Sequence, residues 1–193
     1  YLFSEQNCEK AEVLPPWNLR HFDGKRMRDT VKDVALHCQV PVAFIAIDGP
    51  FEVHLMSRVG LAGERTTLPL TSITCQWPGR TSGEPLVVAD AALHRDAALD
   101  ELVIGPPQMS FIAAAPLQGP ARQVVGGLVI MAPEPRRDID PRHIEMLSAS
   151  AGVIMDIFRS SAETSELWRM QFPTMCELTD CSVSEAAEQS RGP

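Results

Sequence analysis

Apolar positions recur at three- and four-residue steps from Lys25 to Gln39, where Met27, Val31, Val34, Ala35 and Cys38 fall on one stripe. That period marks an amphipathic helix. The pattern then shortens. Val40 to Asp48 is rich in β-branched, aromatic and small residues, including Val42, Phe44 and Ala46, and Asp48-Gly49-Pro50 supplies turn chemistry. Glu52 to Arg58 reads as a second strand, forming a hairpin with the first. Leu86 to Asp90 forms a brief strand and Ala91 to Ile104 a short helix stopped by Gly105-Pro106-Pro107. Phe111–Leu117 and Val124–Met131 read as two further strands joined by a loop at Gln118–Arg122. Gly60 to Glu84, with its glycines, prolines, serines and threonines, is the least regular stretch.

Asp140-Pro141 is a strong helix start, with Asp as N-cap and Pro at the first helical position. Ile144, Leu147, Ala151, Ile154 and Phe158 then repeat at helical spacing, and the pattern can run to about Met170 before Pro173. Roughly 30 residues would span about 45 Å at 1.5 Å each. Such a helix outruns its domain, so its far half is expected to act as a dimer stalk or connector. These signals divide the chain into an irregular arm (1–24), a domain (25–158), a helical extension (159–172) and a polar tail (173–193). Short connections favour antiparallel neighbours. The expected architecture is α/β of the α+β kind: one sheet, the terminal helices on one face and the irregular segment on the other.

Totals narrow the function classes. The chain has 193 residues, 45% hydrophobic and 22% charged, with a formal net charge of −8. That is enough apolar material for a core and too little charge for wholesale disorder. The acidic balance, with no long basic run, argues against nucleic acid and anionic membrane surfaces as partners. No apolar run reaches the length of a membrane span, and Tyr1 to Lys10 does not read as a signal peptide. The first residue is not Met, which is compatible with a fragment. Five cysteines (Cys8, Cys38, Cys75, Cys176 and Cys181) form no C-x-x-C pair, so reduced thiols in a cytoplasmic setting are the simplest reading.

The element order, with particular residues, resembles the GAF domain family from about Lys25 to Phe158. Val40–Asp48 looks like its first strand, Gly60-Leu61 like the pair that follows the second, and Ser72-Ile73-Thr74-Cys75 like a segment that carries a cysteine in many bacterial members. Pro85–Ala91, Phe111–Leu117 and Val125-Gly126-Gly127-Leu128 are similar to three further strand motifs, and Pro135-Arg136 precedes the later helix. The resemblance implies an antiparallel sheet of about six strands, a loop-covered small-molecule pocket on one side and dimerisation through terminal helices. It also implies sensing of cyclic nucleotides, bilins, haem or other small ligands. The chain departs from three subgroups. It has no Cys-His pair for a bilin and no Asn-Lys-Phe-Asp-Glu set for a cyclic nucleotide. It also lacks the several pocket cysteines of the methionine-sulfoxide-reducing members, since only Cys75 lies between Cys38 and Cys176.

Several residues invite a chemical role beside a plain one. Cys75 is either a small buried hydrophobe or a reactive thiol or ligand anchor, the latter needing a positive neighbour such as His94 or Arg80. Trp77 could stack on a planar ligand or cover the sheet. Phe44, Phe111, Ala113, Ala115 and Leu128 could form a pocket wall. Alternation puts Phe111, Ala113 and Ala115 on one face, where small side chains leave room for a ligand or accept a close-packed helix. Asp90 and Asp96 could hold a polar group, but capping the short helix is the simpler role. His54 and His94 have no partner at ligand spacing, His143 lies in the first turn of the long helix, and Cys176 and Cys181 read as tail thiols. No metal set is read and no cofactor is assigned.

No nucleophile elbow, zinc-protease or phosphate-loop motif occurs. The expectation is therefore a regulatory sensor domain and not an enzyme. It would bind an unidentified small molecule or answer a redox event, dimerise through Ile144, Leu147, Ala151, Ile154 and Phe158, and act on a kinase, cyclase or other output domain. Two alternatives stay open: a ligand-free dimerisation scaffold and a thiol enzyme using Cys75.

Overall fold

The computed structural model describes residues 24–49, 51–61, 66–73, 82–106, 108–119, 122 and 124–164. The readings of the arm, the tail, Cys75, Trp77, Cys176 and Cys181 lie outside these residues. The main compact unit ends at Ile157; of the second unit, which begins at Phe158, the described part is the end of the last helix.

The chain opens on α1 (Lys25–His37), whose buried stripe of Met27, Val31, Val34 and Ala35 is the one the spacing predicts. Its end is a Schellman-type cap: the Gln39 N–H donates to the Leu36 carbonyl and the Val40 N–H to the Ala35 carbonyl. Gln39 sits at φ 51°, the left-handed conformation this cap requires. The cap aims the chain into β1 (Val42–Asp48), followed by β2 (Glu52–Val59), β3 (Thr67–Pro69) and β4 (Leu86–Val88). Two 3-10 turns (Ala91–Leu93 and Ala97–Leu99) and the single-turn helix α2 (Glu101–Ile104) come next, where one short helix was expected. Asp90 and Asp100 each cap the start of their own segment, which breaks the expected helix into short pieces. Then follow β5 (Phe111–Gln118), β6 (Val124–Ala132) and α3 (Pro141–Thr164). The Asp140 side chain accepts the Arg142 N–H at 2.9 Å, as the Asp-Pro start predicts.

The six strands form one sheet in the order β3-β2-β1-β6-β5-β4, and the pairs are antiparallel. β1 and β6 are central and buried along almost their whole length, which is why they read as continuous apolar runs instead of alternating ones. Gly60 closes the far end of β2 at φ +71°, and a Cβ there would lie 1.7 Å from the Pro41 carbonyl oxygen. Gly126 answers a different need: a Cβ on it would stand 2.1 Å from the Ala46 carbonyl oxygen, inside the β1–β6 pair. β2 carries an irregularity opposite Ala43–Ile45, with Ser57 buried and at φ 47°. The extra residue moves Val59 to the side of the sheet that Met56 occupies.

The two faces are covered differently. One carries Val42, Phe44, Ala46, Ile112, Ala114, Val129 and Met131, packed with Ile73, Ala91, Ala97, Leu102 and Met109 from the connecting segments. The buried residues of α1 and α3 do not belong to that cluster. They cover the other face, where Ala43 pairs with Ile130, Ile45 with Leu128, and both β6 residues with Ala113 and Ala115 of β5. α1 lies against β1 and β2. The Cys38 thiol donates to the His143 carbonyl at 3.9 Å, which joins the end of α1 to the start of α3.

Candidate functional site

The loop-covered face is the candidate site, and its floor is set by strand register. Val88 pairs with Ile112, Ala114 with Val129, Met131 with Val42, and Val129 with Phe44, so these side chains share one side. Phe44 is fully buried there. Phe111, Ala113, Ala115 and Leu128, read beside Phe44 as one wall, point to the opposite side. Ala113 and Ala115 are buried there, on the face opposite Phe44. The proposed wall mixed two faces because alternation fixes parity within a strand, whereas the pairing between strands fixes which parity is shared.

Over this floor the cover is fastened by Asp100. The residue is 4% exposed, and its carboxylate accepts three hydrogen bonds. Oδ2 takes the Ser72 hydroxyl at 2.7 Å and the Ile73 N–H at 2.7 Å, and Oδ1 takes the Leu102 N–H at 2.8 Å. The last bond caps α2; the other two seize the chain just beyond β3. A buried carboxylate is tolerable when its oxygens are satisfied in this way. The sequence reading passed over Asp100 in favour of Asp90 and Asp96. The available signal was its place directly before Glu101-Leu102-Val103, an N-cap pattern; the contact to Ser72 and Ile73 leaves no trace in spacing.

Asp90 is a cap. Its Oδ1 accepts the Ala92 N–H at 3.2 Å, and the exposed Arg137 guanidinium stands 3.8 Å from Oδ2. Asp96 precedes the second 3-10 turn without a side-chain bond to it. The His94 Nδ1 accepts the Ala97 N–H at 3.2 Å, so His94 shapes this connection. His54 stands 4.0 Å from Glu52, a neighbour on its own strand. Among the described residues no three His, Cys, Asp or Glu side chains gather at metal-binding spacing.

Arg136 is the second residue whose role emerges only in three dimensions. Its Nη1 donates to the Cys38 carbonyl at 2.7 Å and its Nη2 to the Gln39 carbonyl, while its backbone N–H donates to the Ala89 carbonyl at 2.8 Å. The guanidinium also lies 5.4 Å from the centroid of the Phe111 ring. One residue thereby ties the α1 cap and the start of β5 through its side chain and the end of β4 through its backbone. Burial pushes the nearby Cys38 thiol up, and the Arg136 charge offsets part of that rise.

The dimer stripe is also resolved by position. Leu147, Ala151 and Ile154 are 0–2% exposed within the single chain, while Ile144 and Phe158 are half-buried. The apolar stripe of α3 is spent on this chain's own core, because a helix lying on a sheet must bury its apolar side there first.

The chain matches no protein-family profile, and no curated protein matches it. Solved structures do resemble it. The GAF domain of an Acinetobacter phosphoenolpyruvate-protein phosphotransferase superposes with a TM-score of 0.59 at 19% identity, covering 79% of this chain and 99% of that one. A free methionine-R-sulfoxide reductase from Neisseria meningitidis, in complex with its substrate, gives 0.58 at 17% identity, with 72% and 79% covered. A domain of a putative two-component sensor histidine kinase protein from Sinorhizobium meliloti gives 0.56 at 17% identity, with 76% and 96% covered. The fold is GAF-like, as the strand motifs imply. The expectation that the chain is not an enzyme is corrected by the reductase: this fold serves catalysis as well as sensing, so a non-catalytic role does not follow from it.

Proposed function

We propose that the chain is a regulatory sensor domain in which a small molecule, or a redox change, acts at the loop-covered face and shifts the helix layer. The observation that carries this reading is the unequal covering of the sheet. One face is closed by α1 and α3; the other is closed by 3-10 turns, one helical turn and extended chain. Short elements with few backbone bonds open at lower cost than long helices, so a ligand gains most by ordering them. The names of the neighbours, a sensor histidine kinase domain and a phosphotransferase GAF domain, support a signalling context with a kinase or comparable output. A reduced, cytoplasmic setting fits Cys38, a buried free thiol, and the acidic balance disfavours nucleic acid as partner. Among the described residues no helix is long and apolar enough to cross a membrane.

The test is a thermal-shift screen with nucleotides, amino acids and small carboxylic acids, followed by hydrogen exchange on each hit. The expected result is a higher melting temperature, with new protection at 68–73 and 97–104. Hits that protect only the helices would move the site elsewhere, and a screen without hits would count against small-molecule sensing.

A second reading, dimerisation without a ligand, is favoured by apolar side chains on the outer surface of the helix layer. Leu36 on α1 is 73% exposed and Val153 on α3 is 48% exposed. Sedimentation of the wild type and of Leu36→Lys with Val153→Lys discriminates: a dimer lost in the double variant supports a helix-layer interface.

A further inference from the structure

We propose that the residues joined at Asp100 form a latch, and that the cover of the loop-side face opens as one cooperative unit when this latch releases. The inference does not depend on the sensor reading, because it concerns the ligand-free chain.

Three observations carry it. First, Asp100 is the single carboxylate among the described buried residues, and its two oxygens accept bonds from two separate parts of the chain. Ser72 and Ile73 follow β3, at one edge of the sheet; Leu102 belongs to α2, in the connection between β4 and β5, at the other edge. The bonds to Ser72 and Ile73 cross 28 and 27 residues of sequence. Second, the flanking backbone is tied to the same residue. The Asp100 N–H donates to the Ala97 carbonyl, and its own carbonyl accepts from Val103 and Ile104. Third, the side chains carried by these two segments, Ile73, Ala97 and Leu102, belong to one apolar cluster with Phe44, Ile112 and Val129 of the floor.

Together these make partial opening unfavourable. If Ser72–Ile73 lifts alone, the Asp100 carboxyl stays behind with two of its bonds gone. If α2 lifts alone, the carboxylate leaves and the buried Ile73 N–H loses the acceptor it has here. A buried polar group stripped of its partners costs more than the bond itself is worth. Release of both segments together wets all the groups at once and avoids either penalty. The two segments therefore share one opening equilibrium, below global unfolding, that uncovers the floor around Phe44.

The experiment is amide hydrogen exchange on the ligand-free chain, for the wild type and for Asp100→Asn, which keeps the shape but turns one acceptor into a donor. In the wild type, the Ile73 and Leu102 amides are expected to exchange with the same opening constant, larger than that governing Ile112 and Val129. In Asp100→Asn both are expected to accelerate together, by on the order of tenfold to a hundredfold, with the β5 and β6 amides changed far less. Ser72→Ala, which removes one donor, is expected to give the same pattern with a smaller factor, and it decides the matter if Asp100→Asn does not fold. Unequal opening constants for Ile73 and Leu102 in the wild type would overturn the latch. Equal acceleration of β5 and β6 with them, in whichever variant is read, would overturn it too.

Discussion

The carboxylate of Asp100 accepts the backbone N–H of Ile73 at 2.7 Å, between two residues that are both buried. Removing the acid deletes three hydrogen bonds at once. Asp100→Ala is therefore expected to cost on the order of 3 kcal/mol in urea unfolding, and Ser72→Ala about 1 kcal/mol. Equal losses from the two substitutions would count against the shared carboxylate as the anchor.

Two glycines make a contrasting pair. Gly60→Ala must place a Cβ 1.7 Å from the Pro41 carbonyl oxygen at a φ of +71°, so a loss of roughly 3 kcal/mol or more is expected. Gly152 lies within α3 and a Cβ there meets nothing within 4 Å, so Gly152→Ala should gain about 0.8 kcal/mol from helix propensity alone. Thermal unfolding of both variants reads the opposite signs directly.

At the end of α1, Gln39 occupies a position that suits glycine. Gln39→Gly relieves a strain of about 1–2 kcal/mol and gives back part of it as unfolded-state entropy, for a net gain of roughly 0.5 kcal/mol. Arg136→Lys keeps the charge but loses the fork that spans the Cys38 and Gln39 carbonyls, and a loss of about 1–2 kcal/mol is expected. Combining the two in a double-mutant cycle tests coupling at the cap, since both act on the same turn.

Cys38 supplies a pH dependence. Its neutral form is the protonated thiol, which burial favours, so the folded chain holds this proton more tightly than the unfolded chain. The resulting stability is complete below the ordinary thiol range near pH 8.5 and is lost as pH rises through the raised folded value. Between neutral and alkaline pH the wild type should lose more stability than Cys38→Ala. In the native chain Cys38 should also alkylate slowly with iodoacetamide at neutral pH; rapid labelling would contradict its burial.

Ile154→Ala distinguishes a core role from an interface role. Ile154 is fully buried within the single chain, so a cavity there is expected to cost 2–4 kcal/mol, by order of magnitude, at any protein concentration. A loss that shrinks as concentration rises would restore the stripe to a dimer contact.

Much of the fold was legible because the elements are long and their periods differ. The α1 stripe, the Asp140-Pro141 start and the continuous apolar runs of β1 and β6 each follow from local rules, and five of the six strands were read within two residues of their ends. β3 was not, since Thr67–Pro69 is only three residues long and ends at a proline inside a glycine-rich stretch. The site was less legible. Asp100 and Arg136 act through partners 27 to 98 residues away, and no spacing rule reports such contacts. The wall residues were misgrouped for a related reason: Phe44 and Ala113 have identical patterns along their own strands, and only the β1–β6–β5 register puts them on opposite sides.

The sheet's outermost strands, Thr67–Pro69 and Leu86–Val88, are each three residues long, and the first ends in a residue with no N–H to donate. The two strands buried along almost their whole length, β1 and β6, lie at the centre, flanked on both sides. Such an arrangement offers an incoming β-strand little backbone to template on, and it gives this acidic chain built-in protection against fibrillar self-association.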